Sequence, residues 1–282
     1  MKFGVHMAQK GGFKPNLERV ARLGCQTIQI FSGNPTGWKM GKLDQKELKK
    51  RAALLKTNDL DPLVVHSAYL INLATTSADF LAKSRLLLYQ TMERARDYGS
   101  PFVILHTGNH GGQGPEEGLA QIVSVIAEDY KTWPSEVKLL LENTAGSGTA
   151  LGSRFEELAH ILSHFPEGAL GVCLDTAHGW AAGYDFSTPE GVEKTLKDFD
   201  DQVGLHNLKV IHVNDTKVER GSKLDRHAHI GAGSIGRKGF SALLKFGWPH
   251  DLPVILETPE NGSHWDRINL EMLYELTGPA GN

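Results

Sequence analysis

Cysteine is scarce: Cys25 and Cys173 are the only two in 282 residues. Thiols so few and so far apart make neither a disulfide framework nor a paired-cysteine metal motif, and the expected setting is a reducing cytoplasm. No run approaches the ~18 consecutive apolar residues of a membrane helix, and the opening MKFGVHMAQKGG has no apolar signal-peptide core, so no membrane partner is expected. Excess positive charge is also missing. With 30 Lys+Arg against 33 Asp+Glu the formal net charge is −3, so any nucleic-acid surface has to be a local patch. The G-x-G-x-x-G fingerprint of a dinucleotide-binding sheet is absent where it would be due, in His6-Met7-Ala8-Gln9-Lys10-Gly11-Gly12 after the first apolar run. Nor does any Pro-, Gly- or Ser-rich linker or low-complexity tract divide the chain.

What is present is a folded composition, 40% hydrophobic and 22% charged, with 31 glycines for loops of demanding geometry and 13 histidines. Short apolar runs recur at Phe3–His6, Thr27–Phe31, Leu63–His66, Phe102–His106, Val137–Glu142, Gly171–Asp175, Val210–Val213 and Val254–Glu257. Such runs, bounded by polar residues or glycine, are the pattern of strands buried on both faces of a parallel sheet. Helical segments lie between them. Asp44-Gln45-Lys46-Glu47 and Ser153-Arg154-Phe155-Glu156 read as capping boxes, Thr188-Pro189 as a cap with proline at the first helical position, and Ala78–Tyr98 as a long helix. Eight strands alternating with helices predict an α/β fold, a single (β/α)8 TIM-barrel domain over residues 1–282.

In such a barrel the chemistry sits at the C-terminal mouth, where the strands end. The third to eighth runs end at or beside His66, His106, Glu142, Asp175, His212 and Glu257, spaced 40, 36, 33, 37 and 45 residues apart. A lone histidine or glutamate there is ordinarily a satisfied structural residue. Six in phase are not, because imidazoles and carboxylates packed together without compensation are costly, and a bound cation removes that cost. His178 follows Asp175 by three residues, and Asp225 and His227 share one side of an extended segment after strand seven. Alone, that Asp-x-His pair reads more readily as a solvated loop; after His212, in a loop over the same mouth, the two readings are even. The nitrogen and oxygen donors favour zinc and allow manganese or iron, and nine candidate ligands exceed one tetrahedral ion but suit three sharing a bridging carboxylate. Multi-metal sites of this kind suggest phosphoester hydrolysis.

At this point the residues resemble a known family. His66-Ser67-Ala68-Tyr69-Leu70-Ile71-Asn72, Leu105-His106-Thr107-Gly108, Leu141-Glu142-Asn143-Thr144-Ala145-Gly146, Cys173-Leu174-Asp175-Thr176-Ala177-His178-Gly179-Trp180, His212-Val213-Asn214-Asp215-Thr216-Lys217, Asp225-Arg226-His227-Ala228-His229-Ile230-Gly231 and Leu256-Glu257-Thr258-Pro259 together resemble the family-2 apurinic/apyrimidinic endonucleases, the endonuclease IV type. The resemblance spans essentially the whole chain. It implies a TIM barrel with three Zn2+ that cuts duplex DNA 5′ to an abasic site, leaving a 3′-hydroxyl and a 5′-deoxyribose phosphate, and that trims blocked 3′ ends. Carried over position by position, His66, His106 and Glu142 would hold one ion. Glu142, Asp175, His212 and Glu257 would hold a second, and His178, Asp225 and His227 a third. Glu142 would bridge two ions that share the nucleophilic hydroxide, and the chain would be a monomer.

The DNA side rests on two loops. Lys217, Arg220, Lys223 and Arg226 crowd ten residues after strand seven, a basic patch on an otherwise acidic chain that phosphate positioning would use and that a merely solvated face would also show. Tyr69 and Leu70 follow a ligand; in the family this loop enters the minor groove, and its plain alternative is ordinary packing. The strand-two loop departs from the family: Pro35 and Thr36 stand where some members carry a Gln-Arg pair, so that role is not carried over. Ala177 replaces a cysteine and Ala232 a common acidic residue, without loss of a ligand. His6 reads as a structural residue near the mouth. Two rival readings remain, a metal-dependent sugar isomerase or epimerase built on Glu142, Asp175, His212 and Glu257, and a DNA-lesion binder without turnover.

Overall fold

The fold follows from the eight apolar runs, each of which pairs with a neighbour. The computed structural model describes residues 1–8, 10–42 and 44–278. Strands β1 (Lys2–His6), β2 (Thr27–Phe31), β3 (Leu63–His66), β4 (Phe102–His106), β5 (Lys138–Glu142), β6 (Leu170–Asp175) and β7 (Leu208–His212) are joined by β10 (Pro253–Leu256). They form a closed barrel in the order β1-β10-β7-β6-β5-β4-β3-β2, with all neighbours parallel. The expected TIM barrel is the observed fold, with strand bounds shifted by one or two residues.

Helices α1 (Phe13–Arg22), α2 (Gln45–Thr57), α3 (Ala78–Tyr98), α4 (Pro115–Asp129), α5 (Phe155–Leu162), α6 (Thr176–Ala182), α7 (Pro189–Gln202), α8 (Gly236–Leu244) and α9 (Trp265–Thr277) complete the chain. Their starts follow local chemistry. Asp44 accepts the Glu47 N–H at 2.7 Å and Thr188 Oγ1 accepts the Gly191 N–H at 3.0 Å, each satisfying an orphan donor of a first turn. The expected Ser153 cap falls one residue late. Arg154 is the cap, and the Glu157 carboxylate, not Glu156, accepts from Gly152 and Arg154 N–H at 2.8 and 3.3 Å. The reason is packing: Phe155 and Glu157 are the buried positions, whereas Glu156 faces solvent.

Two apolar layers result. The larger lies between strands and helices, with Phe155, Phe186, Phe199 and Phe240 fully buried. The smaller fills the barrel lumen with Val64, Ile104, Leu140, Cys173, Val210 and Ile255. Burying each such aliphatic side chain is worth about 1.5–3 kcal/mol. Gly4 is required where β1 meets β2, since a Cβ there would lie 1.9 Å from the Thr27 carbonyl oxygen. Two elements go beyond the eight units: the short helix α6, which precedes α7 in the unit after β6, and β8 (Asp215–Thr216), which pairs antiparallel with β9 (His227–Ala228) in a small hairpin that folds the long loop after β7 back on itself. Among the described residues no helix is long and apolar enough to cross a membrane.

Candidate metal centre

Side chains along a strand alternate between faces, so residues two apart share one. The six lumen residues Val64, Ile104, Leu140, Cys173, Val210 and Ile255 each stand two positions before His66, His106, Glu142, Asp175, His212 and Glu257. The period that packs the lumen therefore lifts all six donors to the mouth just above it. Register does the rest: His106 lies beside Glu142 and Asp175 beside His212.

Glu142 is the centre. Its carboxylate, fully buried, lies 3.1 Å from His66 Nε2, 3.1 Å from His106 Nε2, 2.9 Å from His212 Nδ1 and 3.4 Å from His178 Nδ1. Donor atoms of His66, His106 and Glu142 all lie within 4.8 Å of one another, as do those of Glu142, Asp175, His212 and Glu257. A third such group is Asp175, His178 and His227. Asp225, expected in that group, stands over it with its carboxylate 3.3 Å from both His178 Nε2 and His227 Nε2. A further grouping joins Cys173 to Glu142 and His212, although burial pushes that thiol up to about 12, away from the thiolate that binds metals.

The histidines are held as metal ligands are, with one ring nitrogen tied to the protein and the other facing the cluster. His66 Nδ1 donates to Ser67 O at 2.7 Å, His178 Nδ1 to Asn143 O at 2.9 Å and His227 Nδ1 to Glu257 O at 2.9 Å. His212 reverses the arrangement, its Nε2 donating to Gln29 Oε1 at 2.8 Å while Nδ1 faces Glu142 and Glu257. His227 Nε2 is buried and turned toward carboxylates, with Asp225 Oδ1 at 3.3 Å but not aligned for a good hydrogen bond. An orphaned imidazole nitrogen among acidic oxygens fits a cation.

Electrostatics agree. Burial alone would push Glu142 up and the imidazoles down, but facing charges outweigh it. The His212 and His106 charges hold Glu142 well below the carboxylate range, and His212 holds Glu257 there too. Asp175, Asp225 and Glu142 raise His178 well above its ordinary value, and Asp225 and Asp175 raise His227 to about 9. The facing carboxylates thus favour positive charge on His178, His212 and His227, the charge a cation would supply. His6 differs, since burial lowers it and the neutral ring accepts from Gln29 Nε2 at 2.8 Å.

Three amides were not anticipated. Buried Asn214 donates to Asp175 Oδ2 at 2.6 Å and accepts from Glu257 N–H at 2.8 Å, fixing the carboxylate of one residue and the backbone of the other. Asn143 grips the Asp175 backbone from both sides at 2.9 and 2.6 Å. Gln29 ties His212 to Glu257, donating to Glu257 Oε1 at 2.6 Å. The available signal was an amide one or two residues past a ligand, and a lone polar residue inside β2.

The rim carries the residues expected to meet DNA. Tyr69 is exposed and Leu70 half-buried, and both line a mouth cavity of about 580 Å³ that also touches His106, His178 and Asp225. Lys217, Lys223 and Arg226 are exposed. Arg220 is not free to act alone: it pairs with Asp185 at 2.9 Å and stands over the Trp180 ring.

Residues 17–276 match the family model described as a xylose isomerase-like TIM barrel. The chain is 44% identical to the probable endonuclease 4 of Natranaerobius thermophilus, covering 99% of this chain and 98% of that protein. It is 41% identical to the probable endonuclease 4 of Halothermothrix orenii, over 92% and 94% of the two chains. The crystal structure of endonuclease IV from Thermus thermophilus superposes with a TM-score of 0.84 at 34% identity, covering 98% of both chains. The chain belongs to the endonuclease IV family. Membership makes it an endonuclease, a hydrolase that cuts within a nucleic-acid strand. A D-tagatose 3-epimerase-like protein also superposes, with a TM-score of 0.77, but at 20% identity that likeness shows the barrel alone.

Proposed function

We propose that this endonuclease IV family chain is a DNA-repair enzyme that hydrolyses the phosphodiester 5′ to an abasic site in duplex DNA. The products are a 3′-hydroxyl and a 5′-deoxyribose phosphate, and blocked 3′ ends are trimmed at the same centre. The observation that carries the reading is the buried Glu142 carboxylate, shared by two of three adjoining donor groups at the mouth. Three divalent cations suit those groups: one with His66, His106 and Glu142, one with Glu142, Asp175, His212 and Glu257, and one with His178, His227 and Asp225, the last standing over the group that Asp175 completes. Zinc suits the donors best, and manganese or iron is compatible with the oxygen-rich group. When bound, such ions bring the pKa of water toward neutrality and offset the charge that builds on phosphoryl oxygens.

The chain's own residues do the rest. Glu142 joins two groups, so both sites stand on one rigid carboxylate. Asn214 and Gln29 hold Asp175, Glu257 and His212 in fixed orientations, which keeps the cluster from reorganising during reaction. Lys217, Lys223 and Arg226 place the phosphate backbone over the mouth, with Arg220 contributing less because Asp185 already pairs with it. Tyr69 and Leu70 occupy the gap in the lesion strand. The chain acts as a monomer, one catalytic barrel, in the cytoplasm.

A sugar isomerase would use Glu142, Asp175, His212 and Glu257 and leave His66, His106, His178 and His227 without a role. The test is incubation with a duplex carrying one stable abasic-site analogue, with and without prior treatment by a strong chelator. Incision immediately 5′ to the lesion, leaving a polymerase-extendable end and abolished by the chelator, is expected. No incision by the fully metallated protein refutes the reading, and lesion binding without cleavage would then mark a binder.

A further inference from the structure

Six large apolar side chains are exposed among the described residues, and two stand on loops at the mouth: Tyr69 at 54% and Leu224 at 53%. Tyr69 follows β3 and Leu224 follows β7. In the closed order β1-β10-β7-β6-β5-β4-β3-β2 three strands separate β3 from β7 in either direction, so the two loops start from opposite sides of the barrel, and the second folds back over the mouth until Asp225, next to Leu224, lines the same cavity as Tyr69. The cluster lies between them.

Leu224 is held out rather than left out. Gly221 N–H donates to Trp180 O at 3.0 Å and Lys223 N–H to Ala181 O at 2.9 Å, pinning the loop to α6. Ser147 Oγ donates to the Lys223 carbonyl from the loop after β5. Lys223 itself adopts φ 59, a left-handed turn that a lysine takes only when its surroundings enforce it. Immediately afterwards Asp225 turns its carboxylate inward to His178 and His227, both at 3.3 Å. A leucine exposed between Lys223 and Arg226 gains nothing in water, but it matches the use of apolar side chains, flanked by cations, to part stacked bases. The strand-two loop supplies no such group. Asn34 Oδ1 ties back Thr36 through its N–H and hydroxyl, each at 3.1 Å, and Pro35 O accepts the Tyr69 N–H at 3.1 Å, so that loop braces Tyr69 instead.

We propose that Leu224 is a second wedge, entering duplex DNA on the far side of the cleaved phosphate from Tyr69 and opening a base step that the Tyr69–Leu70 loop does not reach. This rests on the reading of the mouth as a DNA-cleaving site, and it makes Leu224 a positioning residue that bends the substrate onto the cluster.

The experiment mixes excess holoenzyme with duplexes carrying a stable abasic analogue and one 2-aminopurine, moved step by step along both sides of the lesion. Fluorescence is followed in stopped flow through the phase that precedes incision, and incision is read from the same samples. The wild-type protein should brighten two separate probe positions, one lost in Tyr69→Ala and the other in Leu224→Ala. Leu224→Ala should raise KM about tenfold, as expected when a leucine no longer finds apolar burial, with a smaller fall in kcat. Leu224→Met should restore both signals, and Leu86→Ala, on the outer face of α3, should change neither. Wild-type brightening at every position together with wild-type KM in Leu224→Ala overturns the proposal. Incision with brightening only at the Tyr69-dependent position overturns the wedge and leaves the nuclease standing. Brightening at both positions without incision upholds the wedge and refutes the nuclease.

Discussion

Asn214 offers the sharpest test of how the cluster is held. Its amide donates to Asp175 Oδ2 at 2.6 Å and accepts from the Glu257 N–H at 2.8 Å, entirely out of solvent. Asn214→Ala removes a hydrogen bond to a charged group, worth about 1.5–3 kcal/mol, and leaves a buried N–H without an acceptor, costing about 1–3 kcal/mol. A loss of about 2.5–6 kcal/mol is a large share of the ~5–15 kcal/mol that holds most domains together. Asn214→Asp is the cleaner variant, since it preserves shape and the bond from Glu257 while setting a carboxylate oxygen against Asp175. Metal affinity should fall about 10- to 100-fold, as for other residues that orient metal ligands. Competition against a chromophoric chelator measures the affinity, and thermal melts of the stripped and loaded protein measure stability. Wild-type affinity and wild-type incision in Asn214→Asp would refute the argument.

Three further outcomes are expected. Glu142→Ala should abolish incision and lower bound metal by elemental analysis, because two donor groups lose the carboxylate they share; full activity would remove Glu142 from its assigned place. Metal uptake by the stripped protein at pH 7 should release protons, since facing carboxylates outweigh burial to keep His178 and His212 well above their ordinary value and His227 at about 9. Apparent affinity should then climb with pH, including through the region near 9 where His227 gives up its proton; titration calorimetry in buffers of different ionisation heat checks this, and heats independent of buffer would contradict it. Replacing Lys217 and Lys223 together by Ala should flatten the salt dependence of DNA binding by about 0.9 for each phosphate no longer neutralised, whereas Arg220→Ala should do less, because Asp185 already neutralises it.

The barrel was legible because its strands are buried on both faces, which writes them as short apolar runs, and because each donor caps such a run. The same alternation that buries Ile104 or Leu140 delivers His106 or Glu142 to the mouth, so reading strand ends was enough to gather six donors. The β8–β9 hairpin escaped notice because two-residue strands carry no period. With it went the place of Asp225, which stands over His178 and His227 while Asp175 completes their group. Asn143, Asn214 and Gln29 were missed for another reason: an amide beside a ligand or inside a strand is a weak local signal, because its role depends on what lies across the barrel from it. Arg220 looked like its basic neighbours until the fold placed Asp185 beside it.

The donors also come from units scattered between β3 and β10, and β10 is the strand that closes the ring between β7 and β1. Glu257 therefore meets Glu142 only once β10 has docked on β7, a seam between distant parts of the chain. Ions bridging those side chains would act as a clasp on that seam, joining stretches of chain whose separation makes them expensive to hold together by loop entropy alone. Such a clasp binds the closed barrel and not the open one, so metal supply would set how long the ring stays shut as well as whether it cuts.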